Sequence, residues 1–208
     1  MKKQIILLPV IIGAICIMQS CATFTPCTTL NAYAAPSLSN ITGASNSWMY
    51  TVGGQAGVDA YIPFKNCKLP LTAWAGLNVS AKGAAWEDDF GGQIYSGKTR
   101  LWYLNVPLTG RYTTGNGLFF AAGVQPGFLL SAKDKEDGDS YDYRDYIKTF
   151  DLGIPLEAGY TFSNNFGVAF KFIPGVTNVN KGEYANYSDH NINFALKVFY
   201  TIPGKERE

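Results

Sequence analysis

The feature that most constrains the fold of this chain is an alternation of apolar and polar residues along long segments. From Phe150 to Phe162 every even position is apolar or aromatic, whereas the odd positions carry Asp, Gly, Pro, Glu, Gly and Thr. A period of two places successive side chains on opposite faces of a strand. The sequence therefore predicts β-structure, and not helix, in this region.

The alternation recurs in eight segments, most of them eleven to seventeen residues long: 28–38, 48–64, 69–82, 102–112, 118–132, 150–162, 166–173 and 192–202. Strands of soluble proteins usually have about 5–6 residues, whereas a tilted strand that crosses a bilayer needs about 9–11. One face of the segments is almost free of charge, as contact with lipid requires. In hydrocarbon every backbone N–H and C=O needs a hydrogen-bond partner within the protein, so the sheet has to close. We predict an all-β protein, a closed eight-stranded antiparallel up-and-down transmembrane β-barrel.

The predicted connections alternate between short and long. The short ones are 65–68, 113–116 and 163–165, and the long ones are 39–47, 83–99, 133–145 and 178–190. In outer-membrane barrels the short turns face the periplasm and the long loops face outward. An even number of strands then places both termini in the periplasm. Aromatic residues near the predicted strand ends, such as Trp102 and Tyr112, are typical of the two membrane interfaces.

The first residues indicate export. Two lysines precede an apolar run, Ile5–Met18, which is too short to span a bilayer of about 30 Å as a helix. Together with the small residues that follow, this predicts a signal peptide, residues 1–21, removed near residues 20–22. Two alternatives stay open: cleavage after Ala22 by a general signal peptidase, or cleavage before Cys21 with acylation of that cysteine. The predicted remainder is a barrel domain, residues 22–203, and a charged tail, residues 204–208.

Two further cysteines form a candidate disulfide. Cys27 opens the first predicted strand and Cys67 lies in the turn after the second, so both fall at the same rim on neighbouring strands. Exported proteins enter a compartment in which disulfides form. The alternative is two free thiols.

Four stretches resemble the PorT-like outer-membrane β-barrels of the Bacteroidetes type. They are LSNITG (38–43), YLNVPL (103–108), FDLGIPLEAGY (150–160) and GVTNV (175–179). The resemblance extends over nearly all of the chain after the signal segment. It implies a small single-domain barrel in the outer membrane of a Gram-negative cell. The founding member is associated with a protein secretion system, which supplies one alternative hypothesis about function.

Charged residues on the inward face predict an interior ion network, formed by Asp59, Arg111, Asp151, Glu157, Lys171 and Lys197. Hairpin register about Asn164 places Glu157 opposite Lys171, and register about Tyr184 places Lys171 opposite Lys197. Eight strands enclose a space that side chains can fill, and charges there persist only when they are paired. We expect these residues to plug the barrel; the alternative is a gated conduit or a proton path.

Catalytic and metal-binding patterns are weak. The only histidine, His190, follows Ser188 and Asp189 directly, and such a local triplet lacks the spatial separation of a catalytic triad. The acidic segment 134–139 misses the ligand spacing of a calcium loop, and no zinc, phosphate-loop or nucleotide motif is present. We predict no enzymatic activity, no metal site and no cofactor.

Aromatic residues in the long loops suggest a recognition surface, formed by Trp86, Tyr95, Tyr141, Tyr143, Tyr184 and Tyr187. Such residues bind partners or glycans, or alternatively anchor at lipid headgroups. With 17 basic and 16 acidic residues, the charge gives no reason to expect a nucleic-acid partner.

We therefore predict a monomeric, non-enzymatic integral outer-membrane protein in contact with membrane lipid and lipopolysaccharide. Its outward loops would serve envelope structure, adhesion or recognition of an envelope protein partner. The alternatives are an accessory of a secretion machinery, a lipid-modifying enzyme, and a soluble lipocalin-like carrier.

Overall fold

The computed structural model describes residues 29–43, 48–62, 71–136, 139–182 and 186–204. These residues form twelve strands and one 3₁₀ helix, Arg144–Tyr146, so the all-β prediction is confirmed. The described ranges hold no helix with the length and apolar character needed to cross a membrane. The strands are β1 (Leu30–Thr42), β2 (Trp48–Met49), β3 (Thr51–Ile62), β4 (Leu71–Phe90), β5 (Gln93–Asn105), β6 (Leu108–Thr113), β7 (Leu118–Glu136), β8 (Asp139–Asp142), β9 (Phe150–Gly153), β10 (Leu156–Thr161), β11 (Phe166–Pro174) and β12 (His190–Ile202).

Some sequence predictions concern residues outside these ranges. They are the signal segment with Cys21, the cysteine pair Cys27 and Cys67, the short turn 65–68, the aromatic Tyr184 and most of the charged tail.

All strand pairs are antiparallel, and they form a ring of pairings. The order is β10–β11–β12–β1–β3–β4–β5–β7, and β7 also pairs with β10, so the hydrogen-bonded path returns to its start. The prediction counted eight continuous strands, whereas the structure divides some of them into two segments. Pro107 separates β5 from β6 and Pro155 separates β9 from β10, because proline has no N–H to donate to the ladder.

The sheet is polar inside and apolar outside. On β12, Leu196 is 55% exposed while the next residue, Lys197, is 1% exposed. The same alternation runs through β1, where Leu38 is exposed and Ser37 and Ser39 are buried. Soluble proteins almost never bury lysine while exposing a continuous apolar surface. The distribution is therefore that of a sheet whose outer face contacts lipid.

The two ends of the sheet differ. At the short-turn end lie the turns at Asn116 and Asn165 together with the first and last strand residues, Leu30 and Ile202, which pair with each other. The opposite end, which we call the hairpin end, carries the long β4–β5 hairpin. Asn165 adopts φ 67°, a left-handed conformation that asparagine tolerates well, as the predicted turn at 163–165 requires.

The prediction of a long loop over 83–99 is wrong. β4 continues to Phe90, and β5 begins at Gln93 after a two-residue turn at Gly91 and Gly92. Both glycines have positive φ, the conformation that a tight mirror-image hairpin turn demands. β4 is 20 residues long, or about 65 Å, so it extends well beyond a hydrocarbon layer about 25 Å thick.

The segment 133–145 is likewise mostly strand. β7 runs to Glu136 and pairs with β8. A β-bulge interrupts β7, because Trp102 pairs with Ser131 whereas Tyr103 pairs with Leu129, which leaves Leu130 unpaired. Because of the extra residue, the positions that point inward change from odd-numbered to even-numbered along β7. This explains why the alternation in the sequence is poor there.

A charge on the outer face tests the lipid-facing interpretation. Leu196→Arg should destabilise the protein in vesicles by about 2–4 kcal/mol, because arginine near the midplane of hydrocarbon is costly. Tyr187, also 55% exposed, lies outside the strands, and Tyr187→Arg should cost only about 0–1 kcal/mol. The measurement is urea unfolding of protein folded into vesicles. Equal costs for the two variants would contradict the lipid-facing assignment.

Candidate functional site

Four charged side chains meet midway along the interior. We call Asp59, Glu157, Lys171 and Lys197 the central charge cluster. Lys197 Nζ lies 2.7 Å from Asp59 Oδ2 and 3.4 Å from Glu157 Oε2, and Lys171 Nζ lies 3.4 Å from Glu157 Oε1. Both lysines are only 1% exposed. Every charge in the cluster therefore has an opposite charge as its neighbour, as a poorly hydrated interior requires.

The register of the last hairpin differs from the prediction. Glu157 pairs with Lys171 across β10 and β11, as the sequence arithmetic indicates. Lys171, however, pairs with Ala195, and Lys197 pairs with Ala169, so the predicted Lys171–Lys197 pairing is wrong. Two cations directly opposite each other would repel. The diagonal arrangement lets both ammonium groups reach Glu157.

A second ion pair lies closer to the hairpin end. Lys82 Nζ is 2.9 Å from Asp151 Oδ2, and both side chains are buried. Asp151 also accepts hydrogen bonds from Thr177 Oγ1 at 3.0 Å and from Asn191 Nδ2 at 3.1 Å. The sequence prediction did not include Lys82. The signal for it was present, because Lys82 follows Asn78 and Ser80 at every second position of β4, and all three side chains are buried.

Arg111 belongs to neither ion cluster. Its guanidinium carbon lies 4.1 Å from the ring centroid of Phe119 and 4.5 Å from that of Trp74. Among the described residues no carboxylate is within salt-bridge distance of it. Cation–π attraction thus holds this charge near the short-turn end. The predicted single network is divided into the central charge cluster, the Lys82–Asp151 pair and this aromatic site.

Apolar groups fill the interior on both sides of the charges. At the short-turn end Tyr33, Phe119, Ala169 and Phe199 form one buried cluster. At the hairpin end a second cluster includes Leu101 and Tyr103 from β5, together with Ile147 and Val179 from two connecting segments. These segments bond to each other, since Lys148 N donates to Val179 O at 2.8 Å. The second cluster is therefore a cap made by chain folded over the lumen.

The predicted recognition residues have different surroundings. Tyr141 and Tyr187 are well exposed. Trp86 lies on β4, and its indole N–H donates to Asp134 Oδ1 at 3.2 Å, so its polar edge is engaged inside the protein. Tyr143 packs against the cap cluster. Tyr95, on β5, is half-buried.

In the Ser-Asp-His triplet, Ser188 and His190 contact each other, whereas Asp189 has other partners. Ser188 Oγ lies 3.1 Å from His190 Nε2, and His190 Nδ1 lies 3.0 Å from the carbonyl oxygen of Thr177. Asp189 is buried, and its Oδ2 accepts from Asn180 Nδ2 at 2.8 Å. Consecutive side chains point in opposite directions here. A backbone carbonyl, not Asp189, therefore orients the imidazole.

The described residues of the acidic segment 134–139 lie in two strands. Asp134 and Glu136 belong to β7 and Asp139 begins β8. Asp134 Oδ1 accepts from Thr99 Oγ1 at 2.6 Å as well as from Trp86. In the described part of the chain no group of three or more His, Cys, Asp or Glu side chains is arranged to hold a metal ion.

A family model and one solved structure with a TM-score above 0.5 agree with this architecture. A family model described as "Outer membrane protein beta-barrel domain" matches residues 29–181. Neisserial surface protein A is similar in structure at 10% identity, with a TM-score of 0.54, covering 84% of this chain and 97% of its own. OprG from Pseudomonas aeruginosa matches at 11% identity and TM-score 0.40 over 86% and 97% of the two chains. The outer-membrane protease OmpT from Escherichia coli matches at 11% and 0.40 over 88% and 99%. Comparison with curated protein sequences gave no match.

The Lys82–Asp151 pair allows a test of charge pairing in the interior. Lys82→Met should cost about 3–5 kcal/mol in unfolding free energy, because it leaves the buried Asp151 carboxylate without its cation. The double variant Lys82→Met/Asp151→Asn should recover most of that loss. Lys181 is exposed, and Lys181→Met should change stability by at most about 0.5 kcal/mol. Urea unfolding gives all three values. A double variant no more stable than Lys82→Met would refute the pairing argument.

Proposed function

Because this chain belongs to the outer membrane protein β-barrel domain family, we propose that it is an integral, non-enzymatic outer-membrane protein with a blocked lumen. In this proposal it is a monomeric, closed eight-stranded barrel in a Gram-negative cell. It does not conduct solutes. Its role is to hold the long hairpins outside the membrane for adhesion, envelope structure or recognition of a partner.

The observation that carries the proposal is the succession of filled layers along the interior. Beginning at the hairpin end, these are the cap cluster, the Lys82–Asp151 pair, the central charge cluster and the aromatic cluster around Phe119. Lys171 and Lys197 lie midway and are almost fully buried. A water-filled pore would leave these ammonium groups exposed, as the polar lumens of large porins do.

The ring of strand pairs supports a closed barrel, and the position of the first and last strand residues supports its orientation in the membrane. Edge strands do not occur in hydrocarbon, and the β7–β10 pairs join the first and last members of the path. Leu30 and Ile202 lie at the short-turn end. By the usual asymmetry of outer-membrane barrels, this end faces the periplasm and the β4–β5 hairpin faces outward.

The exposed side of the hairpin end supports a recognition role over a catalytic one. Tyr141 and Tyr187 present their rings to solvent, and tyrosine gives large contact area at little entropic cost. The separation of Asp189 from the Ser188–His190 contact disfavours the lipid-modifying alternative. Within the family we assign the chain to the PorT-like group. Participation in secretion stays a hypothesis that co-purification with a large envelope assembly would support.

Conductance tests the proposal. Protein that migrates faster unheated than heated, and is therefore folded, should give no steady current in planar bilayers. Ile147→Gly/Val179→Gly weakens the cap, yet it should also be silent, because the central charge cluster lies below it. Steady single-channel steps from the unaltered protein would refute the blocked lumen. Absence of the mobility shift, with release from membranes by carbonate, would refute the membrane assignment itself.

A further inference from the structure

Four cations lie side by side on the outward face of the β5–β7 ladder. Lys98 pairs with Lys135 and Arg100 pairs with Lys133, so both cross-strand pairs join like charges. No described carboxylate forms a salt bridge with any of the four. Like charges placed directly opposite each other destabilise a sheet. The arrangement therefore reduces the stability of the protein alone, and an anion bound between the strands would remove that repulsion.

The four side chains surround an open cleft of about 510 Å³. Its floor is formed by the next pair down the ladder, Trp102 and Ser131. Trp102 points outward and is well exposed, as an aromatic residue at a membrane interface is. The unpaired bulge residue Leu130 lies beside it and is also exposed. The cleft is thus at the boundary between the apolar outer surface and the polar hairpins.

The nearby charged groups leave the cleft positive. Asp142 on β8 pairs in register with Lys133, but its Oδ1 accepts from the backbone N–H of Arg144 at 3.0 Å. The Arg144 guanidinium donates to the carbonyl of Leu130, which brings a fifth cation to the same level. Glu87 on β4 pairs with Ser96, two residues before Lys98 on β5, so it is a diagonal neighbour of Lys98, and no salt bridge joins the two.

We propose that this cleft binds the phosphate groups of a lipid A headgroup in the outer leaflet. The proposal rests on the proposed function, since it needs the β5–β7 wall to stand in lipid with the hairpin end outward. A phosphorylated glycolipid fits both parts of the site: its phosphates match the arginine and lysines, and its acyl chains lie along the apolar wall below Trp102. A soluble anion would use the first part only.

Titration of the purified, folded protein in neutral detergent with bisphosphorylated lipid A tests the site. Arg100→Gln/Lys133→Gln should raise the Kd about tenfold or more, because charge-assisted contacts to phosphate are strong. The control Lys148→Gln/Lys181→Gln removes two cations from other segments at the hairpin end and should change the Kd by less than about twofold. Dephosphorylated lipid A and inorganic phosphate should each bind much more weakly than intact lipid A.

The Arg100→Gln/Lys133→Gln variant also has a stability readout that a purely structural role would not give. In detergent without lipid A it should unfold at the same or a higher urea concentration than the unaltered protein, since repulsion is relieved. Equal affinity in both double variants, or inorganic phosphate binding as tightly as lipid A, would overturn the assignment. The heat-dependent mobility shift, run on the same samples, separates that result from failure of the proposed barrel.

Discussion

The structure depends on one constraint: inside hydrocarbon every backbone N–H and C=O needs a partner within the protein. A sheet meets this requirement only when its edges are paired, and here the β7–β10 pairs return the ladder to its start. Once the edges meet, each strand has one face toward lipid and one toward a confined interior. The alternation of side chains then follows from strand geometry, which is why the outside is apolar and the inside is polar.

Confinement determines how the interior charges are arranged. Water does not reach the ammonium groups of Lys171 and Lys197, so carboxylates stabilise these charges instead. Lys197 lies between Asp59 and Glu157. Arg111 shows a second solution, since aromatic faces and not carboxylates surround its guanidinium. Breaking such a pair costs more than the pair itself contributes, because the remaining charge stays buried. The same contacts that hold the interior together therefore also exclude solvent from it.

The sequence indicates which side chains point into the interior, but it does not determine which residues pair across strands or where each strand ends. A period of two assigns Asp151 and Glu157 to the interior whatever the strand partners are. The pairing of Lys171 depends on where the β11–β12 connection turns, and a one-residue error in the midpoint moves its partner from Ala195 to Lys197. Gly91-Gly92 signals a tight turn, but the polar residues around it also fit a loop. The bulge at Leu130 reverses the inward phase and hides the extension of β7.

The contrast between the two faces explains why lysines without a carboxylate partner occur on the outer wall but not in the described interior. In the interior a lysine without a carboxylate would stay desolvated, and the described interior lysines all have one within 3.4 Å. On the outer wall Arg100 and Lys133 lie at the level where the apolar surface ends, next to Trp102. The partner that neutralises them need not belong to the protein, because the membrane itself presents phosphates at this depth. The two like-charge pairs at this level of the outer wall thus indicate that lipid phosphates complete the structure here.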